Sequence, residues 1–422
     1  MQKLSENNRE LFEKTNPVFN TAKMTLFQLA QLGNPHAAAI AEKMGLTENT
    51  QKSRTLTMGT EEELTFRIIL ETRYHMMGSL ARDTGFPVFI DLPCGYTPRA
   101  VETAERGTTY IGLDLPPVIS EISGIIPQLV SEEKRNLIRF CPVDATNGKS
   151  LEKALKDVKG NICINTEGLL MYFNDAEIHA FLENIRNLLD KHGGCWITAD
   201  PEIIPEHIGI RSAILPGDAD QEVRRILEEK ADVSVTLNSL QIHYGQEKEG
   251  FKKAEAVLSE HGLKAERIRI AGCLADTKAF SFLTQEQGEA VLEAVKDIAF
   301  WKVVSTGSAE NSAGMEHRFT IDSERAGDVL YLRLTGRLDS LTAPQLLATY
   351  EEQGASGDIR KVQIDCHNLD YISSAGLRVL LIMKKGCKEG VGLTGINDLV
   401  TDILVQTGFS ELLGIKTDDT DD

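Results

Sequence analysis

Five short apolar runs, each followed by a stretch with helical spacing, constrain the larger part of this chain more than any other feature. They are Val88–Leu92, Tyr110–Leu113, Ile138–Val143, Ile162–Asn165 and Trp196–Thr198. Runs this short, bounded by turn residues, read as buried strands, and their alternation with helices implies a mostly parallel sheet. Two later runs, Ile268–Ala271 and Ala279–Leu283, are further strand candidates. Ahead of the sheet, residues from about 5 to 82 read as helical. Phe19–Ala30, Ala37–Met44 and Glu61–Leu80 carry helical apolar spacing, broken at Gly33-Asn34-Pro35. The expected class is α/β.

The strand ends carry acidic residues. Strand one ends at Asp91 and strand two at Asp114; strand three runs into Asp144-Ala145-Thr146 and strand four into Glu167-Gly168. In an open α/β sheet, ligands bind outside the carboxyl ends of the strands. A ligand rich in donors suits this rim: one carboxylate at Asp114 accepts from both hydroxyls of a sugar diol, and Asp144 accepts from an adenine amino group. Gly95 lets backbone approach a ligand closely. Only one glycine stands where a dinucleotide loop wants three, and no G-x-x-x-x-G-K-S/T loop is present. S-adenosylmethionine needs no phosphate grip and matches better. Each residue also has a plainer reading, because an aspartate at a strand end caps the following turn. Met171 and Tyr172 suit a core or pocket wall, and Arg99 suits solvent equally well. Arg54, Arg67, Arg73 and Tyr74 are candidate partners for an anionic methyl acceptor.

A second strand-to-helix passage lies near the C-terminus. Lys361-Val-Gln-Ile-Asp365 alternates like a buried strand, and Leu377, Leu380 and Leu381 follow with helical spacing. Ser373 and Ser374 fall in the turn between them, and Gly376 permits close packing. A serine there caps the helix with its hydroxyl. Phosphorylated, it places a dianion on the positive end of that helix.

The 422 residues suit two or three domains. Ser305–Gly314, small, polar and without periodicity, is the clearest linker. The expected boundaries are a helical segment at 1–82, a sheet domain at 83–304, a linker at 305–316, a smaller α/β domain at 317–415 and an acidic tail at 416–422. Between Pro201 and Gly250, a helix at Ala219–Lys230 is placed to form a lid or substrate wall. A net charge of −18 argues against nucleic acid and anionic membrane as general partners. No apolar run is long enough for a membrane helix and no signal-peptide core precedes the first helix, so the expected address is the cytoplasm. The seven cysteines form no Cys-x-x-Cys pair, and no His/Cys cluster has zinc spacing, so no metal is expected.

Two resemblances sharpen these readings. Leu369-Asp-Tyr-Ile-Ser-Ser-Ala-Gly-Leu-Arg-Val-Leu-Leu381 resembles the signature of the STAS domain, the fold of bacterial anti-sigma-factor antagonists. The likeness runs from about Arg318 to Ile415 and includes Val329–Asp339 and Thr407-Gly-Phe409. It implies Ser374 as a phosphorylation site, with a serine kinase or anti-sigma factor as partner; the chain has Ser373 where the family often has Asp. Asp91–Ala199 resembles a class I S-adenosylmethionine-dependent methyltransferase of the leucine carboxyl methyltransferase family, hence Rossmann-like. The motifs are Asp91-Leu-Pro-Cys-Gly-Tyr-Thr-Pro-Arg-Ala100, Gly112-Leu-Asp-Leu-Pro-Pro-Val-Ile119 and Thr166-Glu-Gly-Leu-Leu-Met-Tyr172. Pro93 stands where that family has its first glycine, and Thr97-Pro98 where it has Asp-Thr. The resemblance implies a cofactor site at Asp91, Gly95, Arg99, Asp114, Asp144, Ala145 and Glu167, with Gly95 and Arg99 on the methionine end, Asp114 on the ribose, and Asp144 with Ala145 on the adenine. Glu167 and Tyr172 are the candidate acceptor-side residues; the methyl acceptor is a small molecule or a protein.

Three readings follow: a signalling fusion of the two domains, a working methyltransferase whose STAS domain recruits partners or supports a homodimer, and a nucleoside sensor without catalysis.

Overall fold

A computed structural model describes residues 21–47, 60–215, 238–307, 319–338, 342–354, 359–372, 374–406 and 409–413. The chain divides into two compact units, Met1–Asn311 and Ser312–Asp422. The helical reading before residue 21, the proposed helix at Ala219–Lys230, residues 308–316 of the linker, Arg54, Ser373 and the acidic tail lie outside the described residues.

The first unit is built on a seven-stranded sheet: β1 (Val88–Asp91), β2 (Thr109–Asp114), β3 (Ile138–Pro142), β4 (Ile162–Thr166), β5 (Gly194–Thr198), β6 (Leu263–Arg269) and β7 (Ala299–Ser305). Their spatial order is β3-β2-β1-β4-β5-β7-β6. The first five are parallel, and β7 runs antiparallel between β5 and β6. The order reverses between β1 and β4, which makes their carboxyl ends the topological switch point. The class expected from the sequence, an α/β sheet that is mostly parallel, is the class observed.

One face of the sheet is sealed by the Asp175–His192 helix. Ile178, Phe181, Leu182, Ile185, Leu188 and Leu189 recur every three or four residues and pack on Ile90, Ile164 and Trp196. Asn174 and Glu177 close a capping box at its start. The other face meets the Thr60–Asp83 helix, which packs on β4, β5 and the Ile203–Ile214 helix. Further out are a helix over residues 21–31 and another at Pro35–Lys43, whose N-cap Asn34 accepts from Ala37 N–H.

Two of the strand expectations need correction. Ala279–Leu283 is not a strand but encloses a single short turn at Phe280–Phe282. Its approach is held by Glu71, whose carboxylate accepts from Lys278 N–H at 3.0 Å and Ala279 N–H at 2.7 Å. The strand that completes the sheet is β7, whose Phe300, Trp301 and Val303 are buried. Likewise β6 ends at Arg269, and Ala271 opens a four-residue helix.

The second unit has a four-stranded sheet, β8 (Thr320–Ala326), β9 (Val329–Leu338), β10 (Lys361–Ile372) and β11 (Val391–Thr394), ordered β11-β10-β9-β8. β9, β10 and β11 are parallel, and β8 is an antiparallel edge. Alternate residues of β9, Leu330, Leu332 and Leu334, face a core shared with Val362, Ile364, Leu377, Leu380, Met383, Val400 and Leu404. No helix among the described residues is long and apolar enough to cross a membrane.

Candidate functional site

At the switch point Asp91 lies opposite Gly112 of β2 and Asn165 of β4. Its carboxylate is fully buried and accepts from Asn165 Nδ2 at 2.6 Å and from the Tyr110 hydroxyl at 3.1 Å. Burial pushes it up to about 6, against the pull of Arg99 and these two donors. Arg99, in the first turn of the Arg99–Glu105 helix, is also buried. Its Nη2 donates to Glu167 at 2.5 Å and its Nη1 stands 3.8 Å from Asp91. Burial disfavours the guanidinium charge, but Glu167 and Asp91 more than restore it. Tyr74 lies over the guanidinium, 5.0 Å from ring centroid to Cζ. The Tyr74 hydroxyl donates to Glu102, which also accepts from Asn34.

On the β2 side, Asp114 accepts from Gly95 N–H at 2.8 Å and from Leu115 N–H at 2.7 Å. It is 7% exposed, and burial pushes it up to about 6 despite both amides. Gly95 sits at φ +51°, where a side chain is strained, and a Cβ there would lie 3.8 Å from Ala22. The 21–31 helix therefore lies against the loop, and Lys23 with the Tyr96 hydroxyl fastens both to Glu121. Leu92–Pro93 is a cis peptide. Asp144, next along the same rim, is exposed and accepts from the Thr146 amide and hydroxyl, while Ala145 is buried.

On the β4 side, Glu167 is followed by three amides that converge on one carboxylate. Gly168, Leu169 and Leu170 donate to Asp200 at 2.7, 2.8 and 2.8 Å. Asp200 is fully buried; burial raises its pKa and the three amides oppose the rise. Tyr172 is half-buried, and burial, with Asp200, pushes its hydroxyl up to about 12. Behind this loop Arg73 and Glu206 form a buried ion pair, and Arg73 also feels the charges of Glu167 and Asp200.

The rim thus brings Asp91, Arg99, Asp114 and Glu167 together, with Asp144 and Ala145 one strand further out. The arginines expected to meet an anion are otherwise engaged: Arg73 by Glu206, Arg67 by Glu63 and Gln28, while Tyr74 serves Arg99 and Glu102. Asp200 and Glu206 had no sequence reading. An aspartate just past strand five was the available signal for Asp200; nothing local marks Glu206. Among the described residues no group of three or more His, Cys, Asp or Glu is placed to hold a metal.

The second unit offers a different site. β10 shifts register twice on β9, between Asp365 and Asn368 and between Leu369 and Tyr371. The chain then passes Ser373 and opens the Ser374–Gly386 helix at Ser374. A Cβ on Gly376 would lie 2.8 Å from both the Leu338 carbonyl oxygen and Leu338 Cγ, so the helix starts in contact with the end of β9. The Arg337 guanidinium stacks on Tyr371 beside it, 4.1 Å from the centroid.

Several known proteins resemble parts of this chain. A family model described as "Mlab, STAS domain" matches residues 321–414. A protein of Bordetella bronchiseptica named as an anti-sigma factor antagonist, BtrV, is 33% identical over 95 residues, covering 22% of this chain and 81% of its own length. Among solved structures, a duf574 family protein from Streptomyces avermitilis is 15% identical with a TM-score of 0.38, covering 62% of this chain and 90% of its own. An O-methyltransferase family protein from Burkholderia thailandensis is 10% identical with a TM-score of 0.33, covering 62% and 64%.

Proposed function

Because the chain belongs, through residues 321–414, to the family of STAS-domain anti-sigma factor antagonists, we propose that it is a signalling fusion. In it, an S-adenosylmethionine-dependent methyltransferase-like domain is joined to a partner-switching domain toggled by a phosphate on Ser374.

For the first domain, the observation that carries the reading is the buried charge balance at the switch point. Asp91, Glu167, Asp200 and Glu206 outnumber Arg73 and Arg99 there, and burial raises Asp91, Asp200 and Glu206. Carboxylates that burial holds above their ordinary range gain from a positively charged, donor-rich ligand nearby. The residues fit S-adenosylmethionine. Asp114 accepts ribose hydroxyls, Gly95 and Arg99 take the methionine end, Asp144 and Ala145 border the adenine, and Glu167 with Tyr172 lines the acceptor side. When bound, that cofactor supplies a methyl group already activated on a sulfonium. The protein's share is then alignment. A carboxylate acceptor needs no general base; an alcohol or amine needs one, with Glu167 the candidate. Tyr172, held protonated by burial, serves there as a hydroxyl donor and not as a base.

For the second domain, Ser374 stands where a helix begins, so an added phosphate meets the positive end of the helix dipole. About −1.5 to −2 charges arrive with it, enough to repel an acidic docking partner while leaving the fold intact.

Calorimetric titration with S-adenosylmethionine tests the first half: saturable binding weakened by Asp114→Asn is expected, and no binding refutes it. Incubation with an anti-sigma-factor serine kinase followed by mass spectrometry tests the second. Phosphate on Ser374 is expected; phosphate elsewhere, or partner release that survives Ser374→Ala, refutes it. A transferase that uses its STAS domain for recruitment alone would methylate its acceptor equally well in both Ser374 states.

A further inference from the structure

Arg99 has more hydrogen-bonding capacity than its surroundings use. It is 5% exposed and carries five N–H donors. Nη2 donates to Glu167, Nη1 is 3.8 Å from Asp91 and beyond hydrogen-bond reach, and Nε is buried with no partner among the described residues. One flat face is covered by Tyr74, so the edges of the guanidinium are what a ligand can meet. That planar fork matches a carboxylate in two-point contact.

The two carboxylates beside Arg99 differ in freedom. Asp91 is fully buried and fixed by Asn165 and Tyr110. Glu167 keeps a side chain 20% exposed, on a loop whose next three amides are fixed to Asp200. Its backbone is anchored and its side chain borders solvent. Arg73 also attracts Glu167, so a Glu167 that leaves Arg99 is not stranded without a positive neighbour.

We propose that Glu167 is a displaceable internal counter-ion: it holds the edge of Arg99 that a ligand carboxylate must take, so a nucleoside bearing an amino-acid end enters only by prising this pair apart. The inference rests on the nucleoside-binding role proposed above and adds a gate to it. A nucleoside lacking the carboxylate leaves the pair closed and gains nothing from Arg99. Glu167 is then a positioning and selectivity residue whose removal strengthens one class of ligand and not the other, which a purely structural role would not do.

The test is calorimetric titration of the full chain, wild type and Glu167→Gln, with S-adenosylhomocysteine and with 5′-methylthioadenosine, which shares the nucleoside and sulfur but has no amino-acid end. S-adenosylhomocysteine is expected to bind Glu167→Gln about tenfold more tightly, because the ion pair that must be broken becomes a weaker contact with a neutral amide oxygen. Methylthioadenosine is expected to stay within about twofold. Unchanged or weaker S-adenosylhomocysteine binding with methylthioadenosine unaffected overturns the gate and leaves the nucleoside role standing. Failure of both S-adenosylhomocysteine and methylthioadenosine to bind either protein removes the nucleoside role and the gate with it. Should Glu167→Gln not fold, Glu167→Asp, one methylene short of Arg99, gives the same readout.

Discussion

Asp200 is the hinge-pin of the loop that presents Glu167, and truncating it should loosen the first unit measurably. In Asp200→Ala the amides of Gly168, Leu169 and Leu170 all lose their acceptor. A buried donor left unmade costs about 1–3 kcal/mol. Three of them, with water reaching part of the space and the cost of burying the carboxylate relieved, give a net loss of about 3 kcal/mol. Asp200→Asn keeps one acceptor oxygen. Rotated so that this oxygen serves Leu169 and Leu170, it orphans only Gly168 and should lose about 1–2 kcal/mol. Both tryptophans, Trp196 and Trp301, are buried in the first unit, so urea unfolding followed by tryptophan fluorescence reads that unit by itself. The midpoint should fall in the order wild type, Asp200→Asn, Asp200→Ala at constant slope. An Asp200→Ala midpoint matching wild type, or an Asp200→Asn variant weaker than Asp200→Ala, would refute this account of the loop.

Other perturbations reach different parts of the molecule. Because Asp91 and Asp114 are pushed up to about 6, the folded protein holds protons between about pH 4 and 6 that the unfolded chain releases. These two groups therefore withdraw stability as pH rises through that window; Asp114→Asn should flatten the urea midpoint–pH curve by up to about 3 kcal/mol, and parallel curves would count against the assignment. Arg73→Met strands Glu206 in the interior and should lose about 3–5 kcal/mol by tryptophan fluorescence, most of it regained in Arg73→Met/Glu206→Leu. Gly376→Ala drives a methyl against Leu338 and should cost the second unit about 1–3 kcal/mol, seen as faster hydrogen exchange in β10 while β1 is unaffected. Equal exchange in wild type and variant would mean the helix start has more room than its contacts indicate.

What could be read in advance followed from how local each cause is. Of the five parallel strands, β1, β2, β4 and β5 were legible because a strand buried on both faces must be a short apolar run between turn residues; the edge strand β3, only partly buried, was marked by its apolar run alone. β7 carries the same kind of run, Ala299-Phe-Trp-Lys-Val-Val-Ser305, but follows a helix without a Gly or Pro break. Ala279–Leu283 has the right composition and fails as a strand because Glu71, more than two hundred residues away, binds its approach. Asp91, Asp114 and Glu167 were legible as strand-end residues, since topology fixes where strands end. Their partners were not: that Arg99 closes on Glu167, Arg73 on Glu206 and three amides on Asp200 depends on which helices cover the sheet. The passage from β10 into the helix that opens at Ser374 was legible for the opposite reason, because strand and helix are contiguous in the sequence.

The Arg73–Glu206 pair joins residues 133 positions apart. A ribosome adding about 5–20 residues per second releases the second partner roughly 7–27 seconds after the first. For that interval the Thr60–Asp83 helix has neither its counter-charge nor the Ile203–Ile214 helix against which it packs. Through that delay the nascent helix carries an apolar face and an Arg73 whose partner is still unmade, so the buried ion pair can close only late in synthesis.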